Sequence, residues 1–212
     1  MSTDHPPKPT RRHLERPSKE QIKLLPSFDA LPLQHIHLLR TPADFAFALA
    51  QLRNEPFIGF DTESKPCFTS DAPRTGPHVL QFATRDKAFI VQLNANPPLD
   101  FLREVIESQR MVKVGFGLKS DRGPLQRKLG LKLGAAVDLA SGIRRLGYKQ
   151  AVGVRTAVAI ALGRQLRKSK SATTSNWAAT HLSDNQVQYA GEDAFAALAV
   201  FYALGMGDDQ PI

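Results

Sequence analysis

Phe57-Ile58-Gly59-Phe60-Asp61-Thr62-Glu63 is the stretch from which the fold is read. Its first four residues form a short apolar run of the kind that fills a buried strand. Asp61-Thr62-Glu63 sits at the end of that run. Residues i and i+2 of a strand project to the same side, so both carboxylates face one point. Two like charges held together are unfavourable unless a cation or a proton is shared. Hard divalent cations such as Mg²⁺ take oxygen ligands, which carboxylates at a strand end supply. Taken alone, Asp-x-Glu is more often an exposed turn than a site.

Outward from this stretch the pattern alternates. Residues 78–83 and 88–93 read as two strands joined by the polar turn Thr84-Arg85-Asp86-Lys87, a hairpin. Upstream, residues 35–39 read as a short strand. Thr41-Pro42 then starts a helix, with Thr41 as N-cap, Pro42 at the first helical position and Asp44 in the first turn. Phe45, Leu49 and Leu52 fall on one face of it. Downstream come a helix over 99–108, a buried strand over 111–115, and a helix beginning within 117–121 with Pro124 near its start. A short strand follows over 136–139, and the remainder is largely helical. Ser183-Asp184-Asn185-Gln186 is a capping box that opens a last helix running to about residue 204. This order predicts an α/β fold, a mixed sheet flanked by helices.

Two more acids stand out. Asp121 follows the strand over 111–115, in Val114-Gly115-Phe116-Gly117-Leu118-Lys119-Ser120-Asp121. The glycines there make no dinucleotide fingerprint, because the third glycine and the downstream acid are missing. They serve close backbone approach, and Asp121 by itself is equally well a helix-start residue. Asp193 lies four residues after Tyr189, on the same face of the last helix. Ala190, Ala194, Ala197 and Leu198 make that helix a packed one, so a carboxylate and a phenol near its packed face need partners. Glu192 is expected to point to solvent.

Together these segments resemble a family. Phe60-Asp61-Thr62-Glu63 is similar to the first motif of the DEDDy 3′→5′ exonucleases, the group that includes ribonuclease D and the Werner exonuclease domain. Val114 to Asp121 with Leu125 resembles the second motif, and Tyr189-Ala190-Gly191-Glu192-Asp193-Ala194 the third. Ser175-Asn176-Trp177 resembles the stretch that precedes the third. The resemblance covers residues 34–204. It implies a ribonuclease H-like mixed five-stranded sheet, with two divalent ions, Mg²⁺ or Mn²⁺, held by Asp61, Glu63, Asp121 and Asp193. It also implies that Tyr189 orients the attacking water, and that the substrate is DNA or RNA with a free 3′ end. The residue directly after Glu63 is not the bulky one many relatives carry. Phe68 is a candidate to stack on the terminal base instead, or a core residue.

Composition agrees with this outline. The chain has 212 residues, 42% hydrophobic and 23% charged, enough for one domain with a substantial core. The proline-rich residues 1–33 read as a basic tail, flexible or loosely packed on the domain, ahead of an exonuclease domain over 34–206. The formal net charge is +8. Between Asp138 and Asp184 there is no acid, while Arg144, Arg145, Arg155, Arg164, Arg167, Lys168 and Lys170 all fall there. Such a one-signed segment suits a phosphate backbone, and Lys168 and Lys170 are candidate contacts. The stretch over 157–162 is too short to cross a bilayer, and the N-terminus has no apolar h-region. The single cysteine, Cys67, excludes an internal disulfide and fits a cytoplasmic setting; it reads as an inert thiol. His35 and His37 lack the further ligands of a zinc site. The competing reading is a non-catalytic nucleic-acid-binding protein on the same fold; the intact acid set speaks against it.

Overall fold

The computed structural model describes residues 14–67, 73–148, 150–167 and 170–207. The elements run in the order α1 (Lys19–Lys23), β1 (Ile36–Leu39), α2 (Pro42–Leu52), β2 (Phe57–Glu63), β3 (Val79–Ala83), β4 (Ala88–Gln92), α3 (Leu99–Ile106), β5 (Val112–Gly115), α4 (Leu118–Leu129), β6 (Ala136–Asp138), α5 (Leu139–Arg145), α6 (Val154–Leu162), α7 (Lys170–Thr173) and α8 (Asp184–Ala203). The six strands form one sheet in the order β1-β4-β3-β2-β5-β6. Strands β2, β3 and β4 are antiparallel neighbours, whereas β1 joins β4, β5 joins β2 and β6 joins β5 in parallel. The sheet is mixed as expected but has six strands, not five. The five came from the resemblance; the six strands are the six segments that the sequence pattern itself marks, with β1 and β6 pairing in parallel at the edges.

The pleat sorts side chains between two layers. Ile58 and Phe60 of β2 join Phe82, Phe89, Leu52, Leu102 and Ile106 in a core beneath α2, α3 and α4. Phe57 belongs to a core on the opposite face, with Val114 and the C-terminal half of α8. Val79, Ala83 and Ile90 complete that face with Trp177, Ala190 and Ala194. A Cβ on Gly59 would lie 2.0 Å from the Ala194 carbonyl oxygen. The backbone of α8 therefore rests directly on β2 at this point, an approach that only glycine permits. By strand alternation, Asp61 and Glu63 continue the face of Gly59, toward α8.

Both predicted helix starts are in place. Thr41 accepts from the Asp44 amide while Asp44 accepts from the Thr41 amide, and Ser183 and Gln186 make the same reciprocal pair. Each cap is worth about 1 kcal/mol.

From residue 14 onward the segment read as a tail packs on the domain. Ile22 and Leu31 are buried. The Phe28 amide donates to the Gln165 carbonyl and the Gln165 amide to that of Pro26. Phe28 packs on Phe195, and Gln188 donates to the Leu31 carbonyl. Proline suppresses regular structure here without preventing packing, because an extended strap needs few apolar anchors.

Candidate active site

Asp61, Glu63 and Asp193 present carboxylate oxygens that all lie within 4.8 Å of one another. Asp61 and Glu63 are half-buried at the polar end of β2, and Asp193 is buried on α8. The Asp61 orientation is fixed by its Oδ1, which accepts from the Thr62 amide at 2.9 Å. Three carboxylates converging beneath a helix repel one another unless a cation joins them. Oxygens around one hard divalent ion at about 2.0–2.6 Å stand no farther apart than roughly 5 Å. The all-oxygen donor set and its spacing thus fit a divalent metal.

Asp121 lies outside this trio of mutually close carboxylates but is linked to the same strand. It sits in the first turn of α4 and accepts from Thr62 Oγ1 at 2.8 Å. Thr62 points away from its two acidic neighbours, so it carries the link through the strand to Asp121. Burial raises the Asp121 pKa; the Thr62 hydrogen bond works against this and the Asp138 carboxylate adds to it. Two glycines shape the approach. A Cβ on Gly115 would meet the Phe60 carbonyl oxygen at 2.3 Å, and Gly117 adopts φ +70° before α4.

Tyr189 is buried one turn before Asp193, as the i,i+4 spacing predicts. Its ring packs 5.8 Å from Trp177, and its hydroxyl accepts from Thr173 Oγ1 at 3.3 Å. Glu192 does not point freely to solvent: it is half-buried and accepts from Gln188 at 2.7 Å.

The segment after Glu63 is stitched down by His78. The His78 amide donates to the Glu63 carbonyl, its Nδ1 accepts from the Lys65 amide, and its Nε2 meets Thr75 Oγ1 at 3.0 Å. Burial first, then Lys128 and Lys65, lowers its pKa and keeps the ring neutral, as the accepting Nδ1 requires. A cleft of about 580 Å³ opens beside it, with Lys65, Arg74, Lys119 and Arg127 on its walls. Ser64 and Ser120, the neighbours of Glu63 and Asp121, also line it. The roles of Thr62, His78 and these four cations escaped the sequence reading, because each depends on groups that only the fold brings together.

Other expected residues fall elsewhere. Phe68 and Lys168 lie outside the described residues, as does the Lys170 side chain, although its backbone starts α7. Arg144, Arg145, Arg155 and Arg167 of the acid-free stretch are exposed, and Arg164 faces Asp29 at 4.0 Å. Among the described residues no helix is long and apolar enough to cross a membrane.

The sequence family described as 3′-5′ exonuclease matches residues 36–206. The chain belongs to this family. The chain is 28% identical over 162 residues to the mouse bifunctional 3′-5′ exonuclease/ATP-dependent helicase WRN, covering 74% of this chain and 12% of that protein. The Aedes aegypti Nibbler EXO domain superposes with a TM-score of 0.69 at 26% identity, covering 83% of this chain and 89% of that domain. Escherichia coli RNase D superposes equally well, with a TM-score of 0.69 at 19% identity over 80% of this chain and 44% of that one, and shares the fold. The chain spans 12% of the mouse protein and 26% of the Aedes aegypti exonuclease mut-7 homolog, a small part of these curated relatives.

Proposed function

We propose that this exonuclease removes nucleoside 5′-monophosphates one at a time from the 3′ end of DNA or RNA, with two Mg²⁺ or Mn²⁺ ions. Asp61, Glu63 and Asp193 would hold the first ion, and Asp61 with Asp121 the second. The observation that carries this reading is the convergence of three carboxylates on one point, with a fourth tied to the same strand through Thr62. When bound, such ions acidify a water and neutralise charge on the phosphate.

The protein's own groups do the rest. Water oxygen bonds to phosphorus, the bond from phosphorus to the 3′ oxygen breaks, the water releases one proton and the 3′ oxygen takes one up. The Tyr189 hydroxyl, accepting from Thr173, keeps its own proton to hold the attacking water in line. The cleft lined by Lys65, Arg74, Lys119 and Arg127 holds the phosphate backbone. Lys65 and Lys119 stand two residues from Glu63 and Asp121 along the chain.

A 5′-labelled oligonucleotide tests this. The expected result is a ladder of shortening products with Mg²⁺ or Mn²⁺, no products with excess chelator, and resistance of a blocked 3′ end. Full activity in EDTA, or early release of the 5′ nucleotide, would overturn the reading. Side-by-side digestion of matched DNA and RNA strands assigns the preferred substrate.

A further inference from the structure

Gln81 lies at the middle of β3 and is entirely buried. Among the described residues, neither its amide nitrogen nor its carbonyl oxygen has a hydrogen-bond partner. Buried polar groups are satisfied in the great majority of cases, and each exception asks for a reason. Purely for stability, leucine would suit this position better, since its neighbours on the same face of the strand, Val79 and Ala83, are apolar and fully buried.

The register supplies the reason. In the antiparallel ladder Gln81 stands directly opposite Asp61, and Val79 opposite Glu63. Opposed residues share a face and place their Cβ atoms roughly 5 Å apart. The carboxamide therefore lies on the α8 side of the sheet, alongside the Asp61 carboxylate and within the layer that holds the acid trio. Asp61 Oδ1 already takes the Thr62 amide from its own strand. A second donor from β3 would hold the carboxylate from the neighbouring strand and leave its other oxygen edge toward Glu63 and Asp193.

We infer that Gln81 is a positioning residue of the metal centre: its Nε2 donates to the Asp61 carboxylate when a divalent ion draws the trio together. It touches neither substrate nor ion, and it acts through Asp61. The inference rests on the metal-dependent reading above. Groups that hydrogen-bond a ligating side chain typically change metal affinity or activity about 10–100-fold when removed.

The test is Gln81→Leu, with Gln81→Met as a second variant of similar volume should the branched side chain fold poorly. Mn²⁺ binding to the intact protein is followed by calorimetry, and thermal unfolding is recorded without metal. The expected result is Mn²⁺ affinity at least about 10-fold weaker, kcat lowered with KM for oligonucleotide nearly unchanged, and a metal-free melting temperature equal to or above wild type. Unchanged Mn²⁺ affinity in a folded variant would overturn the inference, whether or not its melting temperature falls. Asp61→Asn separates the two layers of the argument: if wild type and Asp61→Asn bind Mn²⁺ alike, the metal reading itself fails and takes the role of Gln81 with it.

Discussion

Gly59→Ala adds a single methyl group, and its consequence can be worked from the packing of α8 on β2. The new Cβ would stand 2.0 Å from the Ala194 carbonyl oxygen and 2.8 Å from its carbon, where ordinary contact begins near 3.4 Å. Both partners are backbone, so no side chain can swing aside. The helix has to rise by roughly 1.4 Å, or the strand has to sink into a core already packed at crystal-like density. Overpacking of this kind costs about 1–3 kcal/mol. Asp193 immediately precedes Ala194, so the same movement draws its carboxylate away from Asp61 and Glu63. A displacement near 1 Å at a reacting centre costs on the order of 10²-fold in rate. Urea titration should show the loss of stability, and mononucleotide release at saturating substrate should fall by about two orders of magnitude under conditions where the variant is fully folded. Gly153→Ala is the control, since nothing lies within 4 Å of the added methyl there. Wild-type stability and turnover in Gly59→Ala would refute the claim that this contact sets the height of the helix.

Three further outcomes are expected. Asp61→Asn and Asp193→Asn should lose nearly all metal-dependent release while gaining stability without metal, because each relieves repulsion in the trio; a metal-free melting temperature below wild type in both would contradict this. Tyr189→Phe should keep its fold and substrate affinity but lose on the order of 10²-fold in single-turnover rate, and an equal rate would reduce Tyr189 to a packing role. Burial holds the Lys113 pKa down at about 8, below the ordinary 10.5, although its ammonium donates to the Ser108 and Met111 carbonyls. The unfolded chain keeps this proton to higher pH than the folded one, so stability should rise between pH 8 and 10.5 relative to Lys113→Met; parallel curves for the two proteins across that window would rule it out.

Much of the scaffold was legible because its signals are local. The hairpin of β3 and β4 announces itself by two apolar runs around a polar turn, and Thr41 and Ser183 mark helix starts through residues only three positions apart. The pairing of Asp61 with Glu63, and of Tyr189 with Asp193, follows from the two backbone periods alone. What stayed hidden depends on register and long-range packing. Gln81 reads as one polar residue in an apolar run until β3 is laid beside β2. Asp121 by itself reads equally well as a helix-start residue until Thr62 is seen to tie it to the strand of Asp61 and Glu63. The strap over residues 14–33 has the composition of a tail, and only its contacts with residues 165, 188 and 195 show that it packs. The cations of the cleft come from β2's exit, the segment before β3, and α4, so no charge count along the chain gathers them.

Helix α8 is made after every strand, yet it packs on β1, β2, β3, β4 and β5. During synthesis, the face bearing Val79, Ala83, Ile90 and Val114 lacks the cover of α8 until that 20-residue helix has emerged. Domains acquire their long-range contacts late when those contacts join distant parts of the chain. Asp193 arrives on that same helix. The step that closes the sheet is therefore also the step that completes the acid trio, and a ribosome-bound chain interrupted before residue 184 holds neither a sealed core nor the third carboxylate.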